Sequence, residues 1–327
     1  MKLKIIDFDR LWQDVLIVSW ALFRVMIPTL IIVKIAQETG LVDILDFFFM
    51  PVTQFIGLPK ELSIVLTTTM LTNPYAGLII LASTDILGGL SVAQSTILAS
   101  FMLFTHALPV EVAISRQAGA KAYFIVVVRV GTAILYCFLL HQFFAYFDLF
   151  SGTAVITLPE FSSTSTLPIW AFNQVKGLVF IQIVIIVLLA ALEILKKLQI
   201  ERLINFVMRP FLTCIGIGES ASTIVVVGLT LGLGFGGGLM IKDVKLGNVK
   251  QTDAIGALVL INLFHSVIED TSLVMLLGPS LFYVLVCRLI FSLIIAYIVI
   301  SLLKAIPDEV RQKLSVNMKC FTSDYAS

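Results

Sequence analysis

The chain has 327 residues, 59% of them hydrophobic and only 13% charged, with a formal net charge of +1. Soluble domains carry about a quarter charged residues, so this composition belongs to the membrane class. The near-neutral charge argues against a nucleic-acid partner, and no glycine-rich loop ending in Lys-Ser/Thr is present to support a P-loop ATPase motor.

In chain order, the first apolar run covers 11–36. It continues past Ile31 and contains Arg24, so it reads as a retained helix rather than a cleaved signal peptide. Arg24 has Asp14 as a nearby partner or lines a cavity. A shorter run at 41–57 carries Pro51 and is either a span or half of a re-entrant hairpin. Runs at 62–83, 92–109 and 122–147 follow, each near the roughly 20 apolar residues that cross a bilayer. A polar linker, 148–168, leads to a second series at 169–195, 203–217 (with Pro210), 220–241, 252–268 and 279–304, and then to a tail, 305–327. Nothing alternates with the period of a strand, so the predicted fold is an all-α polytopic membrane protein. Cys137, Cys214, Cys287 and Cys320 form no CxxC pair and read as packed thiols.

The two series are a repeat. An offset of 159 residues, the distance from Pro51 to Pro210, also aligns Ile56-Gly57 with Ile215-Gly216, Ser63 with Ser222 and Gly77 with Gly236. Without a gap it continues to His106 with His265, Glu111 with Asp270, Gly119 with Gly278 and Arg129 with Arg288. We read 1–147 as the first repeat and 169–304 as the second, each of about five membrane segments.

Charge orients them, because short cytoplasmic loops are rich in Lys and Arg. Lys2, Lys4 and Arg10 precede the first span, and Lys304, Arg311, Lys313 and Lys319 follow the last. The linker 148–168 holds Asp148 and Glu160 and no base. Both termini therefore read as cytoplasmic and the linker as external. Each repeat then crosses an odd number of times, and the two are inverted. Equivalent loops agree: 35–50 is acidic where 194–209 carries Lys196, Lys197, Arg202 and Arg209. Loop 110–121 has Arg116 and Lys121, whereas 269–280 has only Glu269 and Asp270. Inverted repeats are common in secondary transporters, with the site at the midplane.

Three groups of residues are candidates for that site. The first lies where the long runs are interrupted. Thr69, Thr72 and Asn73 precede Pro74, which removes a backbone donor and opposes helix at Asn73. At the equivalent position, Gly232, Gly234 and Gly236 lie in a glycine run that weakens helix and lets backbone approach a ligand. The alternative is close helix packing through small residues. On the binding reading, Gly236→Leu removes binding and leaves folded protein in the membrane, the interruptions line a polar cavity near the bilayer centre together with His265, and Ser266 is a further substrate-binding candidate.

The second group is ionisable. His265 and Glu269 are four apart, a spacing that puts both on one helical face, with Asp270 just beyond; His106 is the other histidine of the pair. Ionisable groups in membrane segments are costly and point to function, and a histidine beside carboxylates takes up a proton readily. The same set could hold a divalent cation or make a structural hydrogen bond. The third group is Arg129 and Arg288, each roughly 12 Å inside its helix, which need Glu111, Glu269, Asp270 or an anionic substrate as partner.

The segments Thr72-Asn73-Pro74-Tyr75-Ala76-Gly77, Gly232–Gly238 and Phe264–Thr271 resemble the nucleoside recognition, or Gate, domain of spore maturation membrane proteins and of the bacterial ferrous iron transporter's membrane region. No GTP-binding domain of the iron-transporter kind accompanies them. The resemblance implies paired repeats with broken helices. It is consistent with a transporter or permease for a small polar solute, whether nucleoside-like, an organic anion or a metal ion. We expect a secondary-active, proton-coupled protein of the cell inner (cytoplasmic) membrane. It needs no cofactor and no resident metal, is not an enzyme, and is compatible with a homodimer. The alternative is a non-transporting membrane scaffold or sensor that works with a partner protein.

Overall fold

The computed structural model describes residues 8–40, 49–159, 166–316 and 320. Lys2, Lys4, Asp43, Asp46, Glu160 and Lys319, on which part of the charge reading rests, lie outside the described residues. The fold is all-α: among the described residues the only β pairings are isolated bridges, Ser91 with Thr153 and Ala120 with Val316. Among the described residues six helical stretches are long and apolar enough to cross a membrane, and the protein is multi-pass. They are Leu11–Ala36, Val92–Gln117, Ala122–Tyr146, Leu167–Leu195, Gln251–Leu277 and Phe282–Ala305.

In chain order the helices are α1 (Phe8–Glu38), α2 (Ser63–Leu71), α3 (Pro74–Ala82), α4 (Val92–Thr105), α5 (Leu108–Gln117), α6 (Ala122–Tyr146) and α7 (Leu167–Lys197). There follow α8 (Ile200–Cys214), α9 (Glu219–Leu231), α10 (Leu233–Lys245), α11 (Gln251–Leu263), α12 (Val267–Val274), α13 (Arg288–Ala305) and α14 (Asp308–Ser315). A π-helical turn, Phe282–Cys287, runs directly into α13.

The 159-residue offset recurs in these elements. Both boundaries of α1 fall on those of α7, and the starts of α3, α4 and α5 fall on those of α10, α11 and α12. Turn residues with positive φ recur too: Gly57 with Gly216, Ala107 with Ser266, Gly119 with Gly278. The apolar runs 62–83 and 220–241 are not single spans. Each is two short helices, α2–α3 and α9–α10. The nine residues of α3 reach roughly 13 Å, less than half a hydrocarbon core of about 30 Å.

The chain forms two compact units, and each draws on both halves of the sequence. One contains the chain through Ala107, Cys137–Leu198 and Glu269–Val284. In it α1 packs on α7 and α3, and α2 packs on α3 and α4. Ser95 Oγ donates to Leu277 O at 2.5 Å, and the Ser280 amide donates to Thr96 Oγ1 at 2.9 Å. The rings of Phe143, Phe144 and Phe150 gather around Tyr283.

The other unit contains Leu108–Tyr136, Gln199–Ile268 and the chain from Leu285 onward. Here α9 packs on α8, α10 and α11, α11 packs on α13, and α10 packs on α5. Asn262 Nδ2 of α11 donates to Ser115 Oγ of α5 at 2.8 Å. After α14 the tail returns to the start of α6, where the Lys121 amide donates to Ser315 O at 2.9 Å. All four cysteines are free thiols.

Candidate functional site

In the first unit, α2 ends at Thr72, whose backbone leaves the helical region, and α3 begins after Asn73. Asn73 is extended, and its side chain accepts from the Ala76 amide at 2.9 Å. Pro74 sits at the first helical position, where its missing N–H costs nothing. The cap supplies one of the partners that a helix start lacks. Asn73→Ala is expected to lower stability by about 1 kcal/mol and Asn73→Asp by less, read as thermal unfolding of the solubilised protein.

A second interruption meets the first. α4 ends at Thr105, and His106 and Ala107 turn the chain into α5. The Ala107 amide donates to Thr69 O at 3.1 Å, so the break after α4 satisfies a carbonyl in the last turn of α2. His106 is buried, with Nδ1 3.0 Å from Met102 O and Nε2 3.4 Å from Asp270 Oδ2. One residue before Asp270, Glu269 Oε1 accepts from Tyr75 OH at 3.1 Å, in the first turn of α3. Thr69, Asn73, Tyr75, His106, Glu269 and Asp270 thus lie around two interrupted helices.

The second unit repeats this arrangement with other residues. Gly232 separates α9 from α10 with φ +88°, in the left-handed half of the map that glycine tolerates. Ser266 Oγ lies 2.5 Å from where a Cβ on Gly232 would sit. His265, buried, has Nδ1 2.8 Å from Ile261 O and Nε2 3.0 Å from Glu111 Oε1. Glu111 Oε2 accepts from Arg129 Nη1, and Arg129 is fully buried. Arg288, also fully buried, lies over the Phe264 ring at 4.5 Å.

Three sequence-level expectations change. His265 does not share a helical face with Glu269, because the chain breaks at Ser266 (φ +44°) and α12 starts only at Val267. His265 turns to Glu111, and Glu269 to Tyr75. Second, a Cβ on Gly236 would sit 2.5 Å from Gly228 Cα. Gly236 is a helix-packing contact, so Gly236→Leu cannot be expected to spare the fold. Gly234, in contrast, has nothing within 4 Å of its Cβ position. Third, Tyr75 was not among the candidates, although it opens the helix that follows the Asn73 break.

The hydrogen bonds fix where protons sit. A carbonyl oxygen only accepts, so Nδ1 of each histidine carries its proton and donates to the carbonyl four residues earlier. Nε2 of each then faces a carboxylate oxygen. An ionised carboxylate also only accepts, so the 3.0 Å contact of His265 with Glu111 is a hydrogen bond only with one more proton, on Nε2 or on the carboxyl group, whereas His106 and Asp270 stand 3.4 Å apart. Each pair thus sets a buried imidazole nitrogen against a buried carboxylate oxygen. The pairs are equivalent under the repeat, and in each a histidine from one half meets an acid from the other.

Buried charge beside interrupted helices, with six candidate spans among the described residues, defines a multi-pass all-α membrane protein. The chain is 28% identical over 273 residues to YvoD of Bacillus subtilis, described as an uncharacterized membrane protein; the match covers 83% of this chain and 86% of that one. No family model matches the chain. No solved structure matches it either.

Proposed function

We propose that the protein is a secondary transporter or permease for a small polar solute, built from two Gate-like repeats of opposite membrane orientation. The observation that carries this reading is the recurrence, in each unit, of a helix interruption touching a second one that bears a buried histidine–carboxylate pair. Interrupted backbone in lipid is tolerated where protein or a wet cavity satisfies it, and matched interruptions in the two halves of a transporter point to the binding site. Each unit offers its own backbone groups to a solute: those at Asn73, beside Thr69 and Thr72, in one, and those at Gly232–Gly234, beside Ser266, in the other. The pairs His106–Asp270 and His265–Glu111 exchange the coupling proton. Glu269 acts through Tyr75, and Arg129 fixes the charge of Glu111.

The test has two stages. Purified protein is screened against nucleosides, organic anions and divalent metals for a rise in unfolding temperature, since a ligand at a hundred times its Kd stabilises by about 2.7 kcal/mol. The hit is then followed into proteoliposomes under an imposed pH gradient. Accumulation that needs the gradient and is lost in His265→Gln is expected. Flux equal to that of empty liposomes for every hit ends the transport reading.

The orientation has its own test. Both termini are cytoplasmic and 148–168 is external, so a cysteine introduced at the exposed Ser151 should react with an impermeant maleimide in intact cells. Labelling only after lysis overturns the topology and the inversion with it.

A further inference from the structure

The helix α8 has 15 residues and reaches roughly 22 Å, too short to cross a hydrocarbon core of about 30 Å. Its sides differ in character. Met208 and Leu212 are buried in the unit, while Leu203, Phe206, Val207 and Phe211 are exposed, Phe206 at 79%. Arg202 and Arg209, two turns apart on one edge of that apolar strip, are exposed as well. With Phe206, Val207, Pro210 and Thr213 they line a surface groove.

Both ends of α8 are tied to ends of spanning helices. Its N-terminus follows α7, whose last turn holds Lys196 and Lys197, after a left-handed Gln199 (φ +56°). Past its C-terminus, Gly216 O accepts from Lys304 Nζ at 3.3 Å, and Lys304 is in the last turn of α13. Lys196 and Lys197 at one end, and Lys304, Arg311 and Lys313 at the other, mark both as cytoplasmic by the same charge rule. A helix whose two ends lie on one surface runs along it. Dipping into the core would also drag Glu201, Arg202 and Arg209 into hydrocarbon.

We propose that α8 lies in the cytoplasmic membrane interface and binds an anionic phospholipid. The lipid's acyl chains cover Leu203, Phe206, Val207 and Phe211, and its phosphate rests between Arg202 and Arg209. The chemistry is that of an interfacial amphipathic helix, with apolar area supplying adhesion and the arginine pair selecting the charged headgroup. The inference rests on the cytoplasmic assignment of this surface and not on the transport reading.

The full chain is placed in nanodiscs of phosphatidylcholine with one-third phosphatidylglycerol, and lipid retained after mild detergent extraction is counted by native mass spectrometry. Phosphatidylglycerol should be enriched. Arg202→Gln and Arg209→Gln should each weaken its retention roughly fivefold, whereas Arg311→Gln, outside α8, should not. A nitroxide on Phe206→Cys, in a background lacking the native cysteines, tests placement without touching the arginines. It should be reached by oxygen more than by aqueous nickel chelate. Equal lipid retention in the double arginine variant overturns the proposal. So does a nickel-accessible label, or one that neither reagent reaches because a protein covers it.

Discussion

Glu111→Ala is expected to cost about 3–5 kcal/mol of stability, the range for removing one partner of a buried ion pair. The carboxylate of Glu111 faces two donors, Arg129 on one oxygen and His265 on the other. Arg129 is 0% exposed and on a helix apolar enough to span a membrane. Its guanidinium cannot shed its proton, so losing the acid strands a full charge where water does not reach. Glu111→Gln keeps an acceptor without the charge and should fall between Ala and wild type. The sharper check is Arg129→Met combined with Glu111→Ala. Replacing both charges with apolar groups is often nearly neutral, so the double variant should recover much of what Glu111→Ala loses. Unfolding midpoints of wild type, Glu111→Ala, Arg129→Met and the double variant in one detergent provide the cycle. If Glu111→Ala alone costs less than about 1 kcal/mol, another carboxylate compensates Arg129 and the triad is not the unit described here.

Local signals reached the architecture and stopped short of the pairing. Length and apolarity of the runs pointed to the six spans but also to 62–83 and 220–241, which are each two short helices, and the 159-residue offset that aligns residues also aligns helix boundaries at several points. Pro74 and Gly232 advertise their interruptions, because one lacks a donor and the other a Cβ. The second pair of interruptions carries no such mark. Ala107 and Ser266 take positive φ although neither is glycine, and the surrounding apolar residues read as continuous helix. Once those breaks are missed, spacing pairs His265 with Glu269 on a helix that does not exist. The true partner, Glu111, is 154 residues away in the chain. The repeat held a usable clue: His106 is equivalent to His265 and Glu111 to Asp270, and each histidine takes the acid that the other's half supplies. Whether such an exchange occurs depends on which segments share a unit, and that is set by packing rather than by any local pattern. The short run at 203–217 was ambiguous for a similar reason. Its length allows a re-entrant segment, and only the contact of Gly216 with Lys304 ties its end to a helix terminus.

Gly236→Leu should be among the most disruptive substitutions outside the charged triad. At this point α10 touches α9 backbone to backbone: a Cβ on Gly236 would lie 2.5 Å from Gly228 Cα and 2.8 Å from Gly228 N. Neither neighbour has a side chain that could rotate away, so the two helices must separate before even a methyl fits. Overpacking a well-packed core costs about 1–3 kcal/mol where side chains can give. Here the backbone must move, and a loss at or above the upper end is expected, seen as a large fall in unfolding temperature or failure to recover monodisperse protein. Gly236→Ala should already be harmful. Gly234→Ala, two residues earlier with open space at its Cβ position, should be neutral or slightly stabilising, because alanine favours helix over glycine by up to about 1 kcal/mol. The contrast separates the two readings of the glycine run. If Gly236→Leu melts with wild type while ligand-induced stabilisation disappears, the glycine serves the solute. If the protein itself is lost while Gly234→Ala is not, Gly236 serves the close approach of α9 and α10, and binding is to be sought at the backbone around Gly232 and Gly234.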